Sequence, residues 1–413
     1  MKRLLKWLGY GLLLAILAGF VPATQGLYGL YWKRWSTSLL GNPLDPALSW
    51  YDPLESVAGN FTRPLPVASP GEAAIDAAVL DEAADYAGAH ESDAFVVMHR
   101  GKIITERYWN GFSRDTLFPA HSMTKSLPAI LIGHAIADGA IESADMSASK
   151  YLPEWDTPER RGITIRHLLN MSSGIYEPLE FAPKSGRMLR LFGLDIVAAN
   201  LAADVGGVPG KQWGHFNPNS QLLGVIVERA TGRRFGEYLT EKLWGPLGAH
   251  EAFMYVDHEG GTVHTDCCMW ATVEDWLRMG ELLRNRGVFN GQQLIPASWF
   301  TEMITPAPAY ANYGMQLWLG NEYEEWRRYD PERDTFANYH SVPFLAEDVL
   351  FLDGLGKKRV YVIPSRELVI LRVGPNDAEW DDAFLPNLLS SALLAGSSLG
   401  EDSGQETVEV AVR

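Results

Sequence analysis

The stretch from Ser122 to Gly139 constrains this chain more than any other, because from Ser126 to Ala137 it holds no Asp, Glu, Lys or Arg. A helix that is apolar nearly all round cannot lie on a surface, so this one is predicted to be central and packed on every side. Such packing needs a large core. The 413 residues, 46% apolar and 21% charged, suit two or three packed units and exclude wholesale disorder.

Strand signals flank that helix from both ends of the sequence. Ala94 to Ile104 reads as a hairpin turning at Arg100-Gly101-Lys102, and Val360–Ile363 with Leu368–Val373 as a second hairpin turning at Pro364-Ser365-Arg366. Residues 140–270 carry helical segments and long loops, including Ile165 to Leu169 and Gln221 to Ala230, and Thr272 to Asn285 is a further helix ended at Gly287. The pattern predicts one sheet assembled from both ends of the chain and interrupted by a helical subdomain over about 140–270. Residues 36–70, rich in Pro, Ser and Gly, read as a linker or wrapping arm, 71–395 as the body and 396–413 as a polar, flexible tail.

At the start, Met1 to Lys6 carries three positive charges and Trp7 to Ala23 carries none. That apolar run spans about 25 Å as a helix, slightly short for a membrane span. It reads either as a cleaved export signal or, lengthened through Tyr31-Trp32, as a membrane anchor over residues 1–35. Both place the body outside the cytoplasm. Five of the 35 basic residues precede Ser36, leaving 30 against 51 acidic residues in the rest. A body that acidic repels phosphate backbones, which argues against a nucleic-acid partner.

Ser-x-x-Lys occurs at Ser122/Lys125 and at Ser147/Lys150. Chance supplies roughly one match, so context must separate them. Lys150 precedes a loop signal, Tyr151-Leu152-Pro153, with nothing to bury an amine. Ser122 opens the apolar helix, and three residues along a helix bring two side chains to one face. A buried lysine loses proton affinity and can take a serine proton, whereas a solvated one cannot at neutral pH.

Phe118 to Ser126, Ile163 to Gly174, Pro209 to Asn217, Asn219 to Gly224 and Ala271 to Gly280 together closely resemble the serine β-lactamase superfamily. The order and spacing are most similar to the branch of class C β-lactamases, esterases and 6-aminohexanoate-dimer hydrolases, from about Phe95 to Gly374. The resemblance implies an α/β (α+β) fold of the β-lactamase/transpeptidase type, an antiparallel sheet flanked by helices with an inserted helical subdomain. It implies Ser122 as the acylated nucleophile and Lys125 as the residue that activates it.

Two motifs depart from that pattern. Where the family carries Tyr-x-Asn, this chain has His215-Phe216-Asn217. Histidine can exchange protons near its ordinary pKa of about 6.5, so His215 is expected as general base, with a packed histidine in an impaired site as the other reading. Asn217 is expected to orient the lysine or the substrate carbonyl. The family's Lys-Thr-Gly is absent; Asp353-Gly354-Leu355-Gly356-Lys357-Lys358 stands in its place. Gly354 is expected near the oxyanion, where the backbone must approach substrate closely. Without that motif's lysine, Lys357 and Lys358 are the cations left to grip a penicillin carboxylate, although exposed turn residues are the commoner explanation of such a pair.

His258, His264, Asp266, Cys267 and Cys268 resemble metal ligands but match no zinc spacing, and no metal or cofactor is expected. Cys267 and Cys268 are expected as two packed thiols rather than a bond, and His121 is expected to point away from its neighbour Ser122. The function expected is a serine hydrolase of small amides or esters, acting through an acyl-enzyme. The rivals are a β-lactamase or cell-wall peptidase, and a membrane-tethered binding protein that kept the fold and lost turnover.

Overall fold

The computed structural model describes residues 27–40, 48–69, 71–178, 185–330 and 337–401. Both predicted hairpins form: Ala94–His99 pairs with Lys102–Tyr108, and Lys358–Ile363 with Leu368–Val373. Arg100 and Gly101 both take positive φ, 53° and 74°, as a two-residue hairpin turn demands of strands with right-handed twist. Leu368–Val373 pairs with Ala94–His99, Ile370 opposite Val97, so the two ends of the chain meet in one sheet. Leu350–Gly354 and Trp318–Leu319 complete a six-stranded antiparallel sheet in the order 318–319, 350–354, 358–363, 368–373, 94–99, 102–108.

Alternation along the strands sends Val96, Met98, Val360, Val362, Val369 and Leu371 to one face, and Phe95, Val97, Tyr361, Ile363, Leu368 and Ile370 to the other. Both faces are covered, which is why these runs are apolar at nearly every position rather than at every second one. Helices Ser126–Ala137 and Val273–Arg284 cover the first face, and Ala77–Ala89 and Phe384–Glu401 the second. Gly280 permits the close approach of its helix: a Cβ there would lie 2.5 Å from Val369 Cγ1. A capping box starts that helix, with the Thr272 side chain accepting from the Asp275 amide and Asp275 from the Thr272 amide.

The central helix differs from expectation in its first turn. His121–Lys125 is 3₁₀, and the α-helix begins at Ser126. Pro128 lacks the N–H that an α-helix would direct to the Thr124 carbonyl, so the ladder cannot extend back over the turn that carries Ser122. Among the described residues, the stretch expected as a helical subdomain holds the α-helices Ile165–Leu169, Gly186–Phe192, Ile196–Leu201, Asn217–Thr231 and Phe235–Leu239. Asn217–Thr231 packs directly on the central helix.

A second antiparallel sheet orders strands 54–57, 252–255, 270–272 and 117–119, the last leading straight into the nucleophile turn. Within the stretch expected as a linker over 36–70, residues 54–65 therefore belong to the body: they supply the strand Leu54–Val57, and the Leu65 amide donates to Glu274 at 2.7 Å. The boundary expected at residue 35 also cuts through a helix, Leu27–Leu40, whose Arg34 is fully buried. Its guanidinium donates to the carbonyls of Asp257 (2.9 Å), Asp52 (2.8 Å) and Val256 (2.8 Å). A basic residue beside an apolar run looks like an interfacial anchor, but here peptide carbonyls satisfy it inside the protein. At the other end the last helix runs through Glu401, beyond the start expected for the tail. Residues 1–26 and 402–413, and with them the apolar run Trp7 to Ala23, lie outside the described residues. Among the described residues no helix is long and apolar enough to cross a membrane.

Candidate active site

Short strand 117–119 and the central helix hold the turn His121–Lys125 between them, and the turn aims two side chains at one another. Lys125 Nζ donates to Ser122 Oγ at 3.0 Å, to Asn217 Oδ1 at 2.8 Å and to the carbonyl of Asp266. All three ammonium donors are used. Lys125 is 1% exposed, and burial lowers its pKa to about 8, against the raising pull of Asp266, Glu177 and Asp353. About a tenth of Lys125 is then neutral at pH 7, against less than a thousandth for an ordinary lysine. The other Ser-x-x-Lys makes no such pair. Ser147 caps its own 3₁₀ turn, and Lys150, half exposed, faces Glu142 at 3.4 Å.

Asn217 comes from the first turn of the helix Asn217–Thr231, which its packing on the central helix carries to Lys125. Gly354 ends a strand that runs against the nucleophile turn. A Cβ on it would lie 2.5 Å from the Ala120 carbonyl and 3.2 Å from Met123 Cγ, so only glycine lets the backbone pass there.

His215 stands elsewhere than a proton shuttle hydrogen-bonded to the pair. Its amide donates to the Tyr329 carbonyl at 2.8 Å. Its ring sits among Tyr329, Trp318, Tyr313 and Trp213, with centroids 5.2–6.5 Å away. Among the described residues the ring makes no hydrogen bond to Ser122 or Lys125. Burial, then the charges of Lys125 and Arg327, hold its pKa well below the usual 6.5. The titration expected near 6.5 is thus corrected: this imidazole is neutral through the whole neutral range.

The sequence reading missed a buried charge cluster behind Gly354. Arg327 and Arg359 both reach Asp353 (2.6 and 2.5 Å) and Asp382 (3.0 and 2.9 Å), and the hydroxyls of Tyr329 and Tyr361 donate to Asp353 and Asp382 at 2.8 Å. Burial alone would raise Asp382, but the two arginines overcome it and hold its carboxyl far below the carboxylate range. Lys357 and Lys358 are not exposed turn residues. Both are buried; Lys357 donates to Asn338 at 2.8 Å and Lys358 to backbone carbonyls. Charged residues inside otherwise apolar strands, Arg359 and Asp353, were the available signal.

Cys267 and Cys268 are joined as a disulfide rather than packed as two thiols. His264 shares hydrogen bonds with Tyr51 Oη (2.6 Å) and Asp266 (3.4 Å). The donors of His264, Asp266 and Cys267 lie within 4.8 Å of one another. In the disulfide Cys267 offers no thiolate, and both ring nitrogens of His264 already have partners. His121 is buried, and its carbonyl accepts from the Cys268 amide at 3.2 Å.

The chain is 27% identical over 257 residues to the 6-aminohexanoate-dimer hydrolase of Paenarthrobacter ureafaciens, covering 56% of this chain and 65% of the relative. It is 32% identical over 151 residues to esterase EstB of Burkholderia gladioli, covering 33% and 38%. The matches thus span less than two thirds of either relative's length. Among solved structures, a Bacillus anthracis protein that carries the 6-aminohexanoate-dimer hydrolase name superposes with a TM-score of 0.67 at 19% identity, over 89% of this chain and 97% of that one. A family VIII carboxylesterase superposes with a TM-score of 0.58 at 18% identity, over 81% and 100%. Those likenesses establish the β-lactamase/transpeptidase-like fold. Residues 77–373, most of the chain, match the family profile described as Beta-lactamase, and this chain belongs to the beta-lactamase family.

Proposed function

We propose that the protein is a serine hydrolase of small linear amides or short-chain esters that works through an acyl-enzyme on Ser122. The observation that carries this reading is the buried amine of Lys125, 3.0 Å from Ser122 Oγ, with its pKa near 8. In its neutral form Lys125 takes the hydroxyl proton as Oγ bonds the substrate's carbonyl carbon and an electron pair moves to oxygen. Backbone N–H groups at Ser122 and near Gly354 receive that oxyanion. Its collapse expels the amine or alcohol, which takes the proton held by Lys125, directly or through His215. Water then attacks the acyl ester, gives its proton to Lys125, and the second collapse returns that proton to Oγ and frees the acid. His215 reaches the leaving group only once substrate is seated, since apo hydrogen bonds at such sites are often loose.

The substrate class draws support from the relatives named for 6-aminohexanoate dimers and esters. It also draws support from the burial of Lys357 and Lys358, which leaves neither free to hold a penicillin carboxylate. Export is proposed as well, with residues 1–26 as signal or anchor. The apolar run at Trp7 to Ala23 supports it, and so does a disulfide, which persists in oxidising compartments.

The test is hydrolysis of p-nitrophenyl acetate and of linear 6-aminohexanoate dimer by the full-length chain, beside fluorescent penicillin, each compared with Ser122→Ala. Ser122-dependent turnover of the ester or the linear amide is expected. Penicillin attached at Ser122 without either turnover would favour a cell-wall enzyme. A folded protein inert to all three would favour a binding protein, a reading supported by the lack, among the described residues, of a hydrogen bond from the His215 ring to Ser122 or Lys125.

A further inference from the structure

The acceptor that Lys125 uses in the backbone belongs to an unusual turn. Asp266 supplies the carbonyl, and the next two residues are the disulfide Cys267–Cys268. This turn is tied to the nucleophile turn at three further points. The Cys268 amide donates to the His121 carbonyl (3.2 Å), the Met269 amide to Thr124 Oγ1 (3.0 Å), and the Ala120 amide to the Met269 carbonyl (2.9 Å). His121 and Cys268, the residues facing each other across this seam, both hold left-handed conformations, φ 49° and 71°. Side chains disfavour that region, and it persists only where surroundings impose it. Cys268 Sγ also lies 3.8 Å from His121 Nδ1.

We propose that the Cys267–Cys268 disulfide is a positioning element of the active site: it holds the turn that braces Ser122 and Lys125, and opening it by a dithiol reductant uncouples the two. The proposal rests on the serine-hydrolase reading for its effect on turnover, while the brace itself does not. Cys267 is the more exposed of the two residues, so the reductant's thiolate attacks its sulfur. The S–S bond breaks with its electron pair on Cys268 Sγ, and the reductant's second thiol resolves the mixed disulfide. The products are two cysteine thiols and one oxidised dithiol, two electrons and two protons having passed to the protein.

The test compares the full-length chain oxidised, reduced by dithiothreitol to a mass two daltons higher, and as the Cys267→Ser/Cys268→Ser variant. Hydrogen exchange at the amides of Ala120, Cys268 and Met269 is read first, since it needs no turnover. Exchange at least about tenfold faster in both opened forms is expected, while the sheet amides stay protected. Exchange unchanged in fully reduced protein overturns the brace.

Turnover of p-nitrophenyl acetate is then expected to fall at least about tenfold, as small displacements of catalytic groups do. The rising limb of its pH profile should move up from about 8. Lys125 is faced by Asp266, Glu177 and Asp353 and by His215, none of which is altered. Looser exchange with unchanged turnover, or with lower turnover but an unmoved limb, overturns the positioning role. If the oxidised chain shows no Ser122-dependent turnover, the hydrolase reading falls, and exchange still decides the brace.

Discussion

Lys125 decides what this site can do, because three acceptors hold its amine beside Ser122 and burial makes it surrender a proton easily. The ammonium form cannot accept the serine proton, so activity should rise with pH through a midpoint near 8 and level off above it. Lys125→Arg, which keeps the charge but cannot deprotonate, should lose about 10³-fold or more in kcat/KM. A break near pH 6.5 is not expected, because His215 is neutral there; a profile that bends at 6.5 and disappears in His215→Ala would contradict the placement of its ring. The pairing of Ser122 with Lys125 was legible in the sequence, because a spacing of three on a buried turn brings the two side chains together; Asn217, 92 residues from Lys125, was expected only from the resemblance to the family. The Asp266 carbonyl was not: every residue has a carbonyl, and only the fold chooses one. The imidazole's suppressed basicity was equally hidden, since it comes from burial, here among residues about a hundred positions along the chain such as Tyr313 and Trp318, and from the charges of Lys125 and Arg327.

The strand Leu350–Gly354 is the element on which the site leans, and its last two residues have opposed characters. Gly354 passes against the nucleophile turn, while Asp353 is locked into the cluster with Arg327, Arg359 and Asp382. Two buried carboxylates and two buried guanidiniums balance, so removing one leaves an uncompensated charge in the interior. Asp353→Asn should cost about 3–5 kcal/mol, read from chemical denaturation. A change below about 1 kcal/mol would mean that water reaches the cluster. Both hairpins could be read from continuous apolar runs, but this strand could not. A charge and a glycine close it, and the tertiary ion pairs that make burial of Asp353 tolerable have no local signature. The first turn of the central helix shifted to 3₁₀ for a reason that was visible, Pro128, yet went unused.

At the scale of the whole molecule, the described end of the part expected to be detachable, from Leu27 on, is built in. Helix Leu27–Leu40 places Arg34 under the small sheet, and Arg34 stacks on Tyr51, its guanidinium carbon 3.8 Å from the ring centre. Tyr51 in turn bonds His264, two residues from the carbonyl that Lys125 uses. Arg34→Ala would strand several buried carbonyls, a loss on the order of 3 kcal/mol by thermal or chemical unfolding. Deleting residues 1–35 should cost at least as much, and a deletion as stable as the full chain would restore the boundary expected from charge and hydropathy alone. That boundary misled because Lys33 and Arg34 carry the same formal charge, while one is exposed and the other has its charge met by peptide dipoles.

The most direct test of an acyl-enzyme on Ser122 is the intact mass of the full-length chain, quenched within seconds of mixing with p-nitrophenyl acetate and mapped by peptide. An acetyl group on the peptide holding Ser122, present in wild type and absent from Ser122→Ala, is expected. A folded wild-type chain that carries no adduct, or the same adduct in Ser122→Ala, would contradict it.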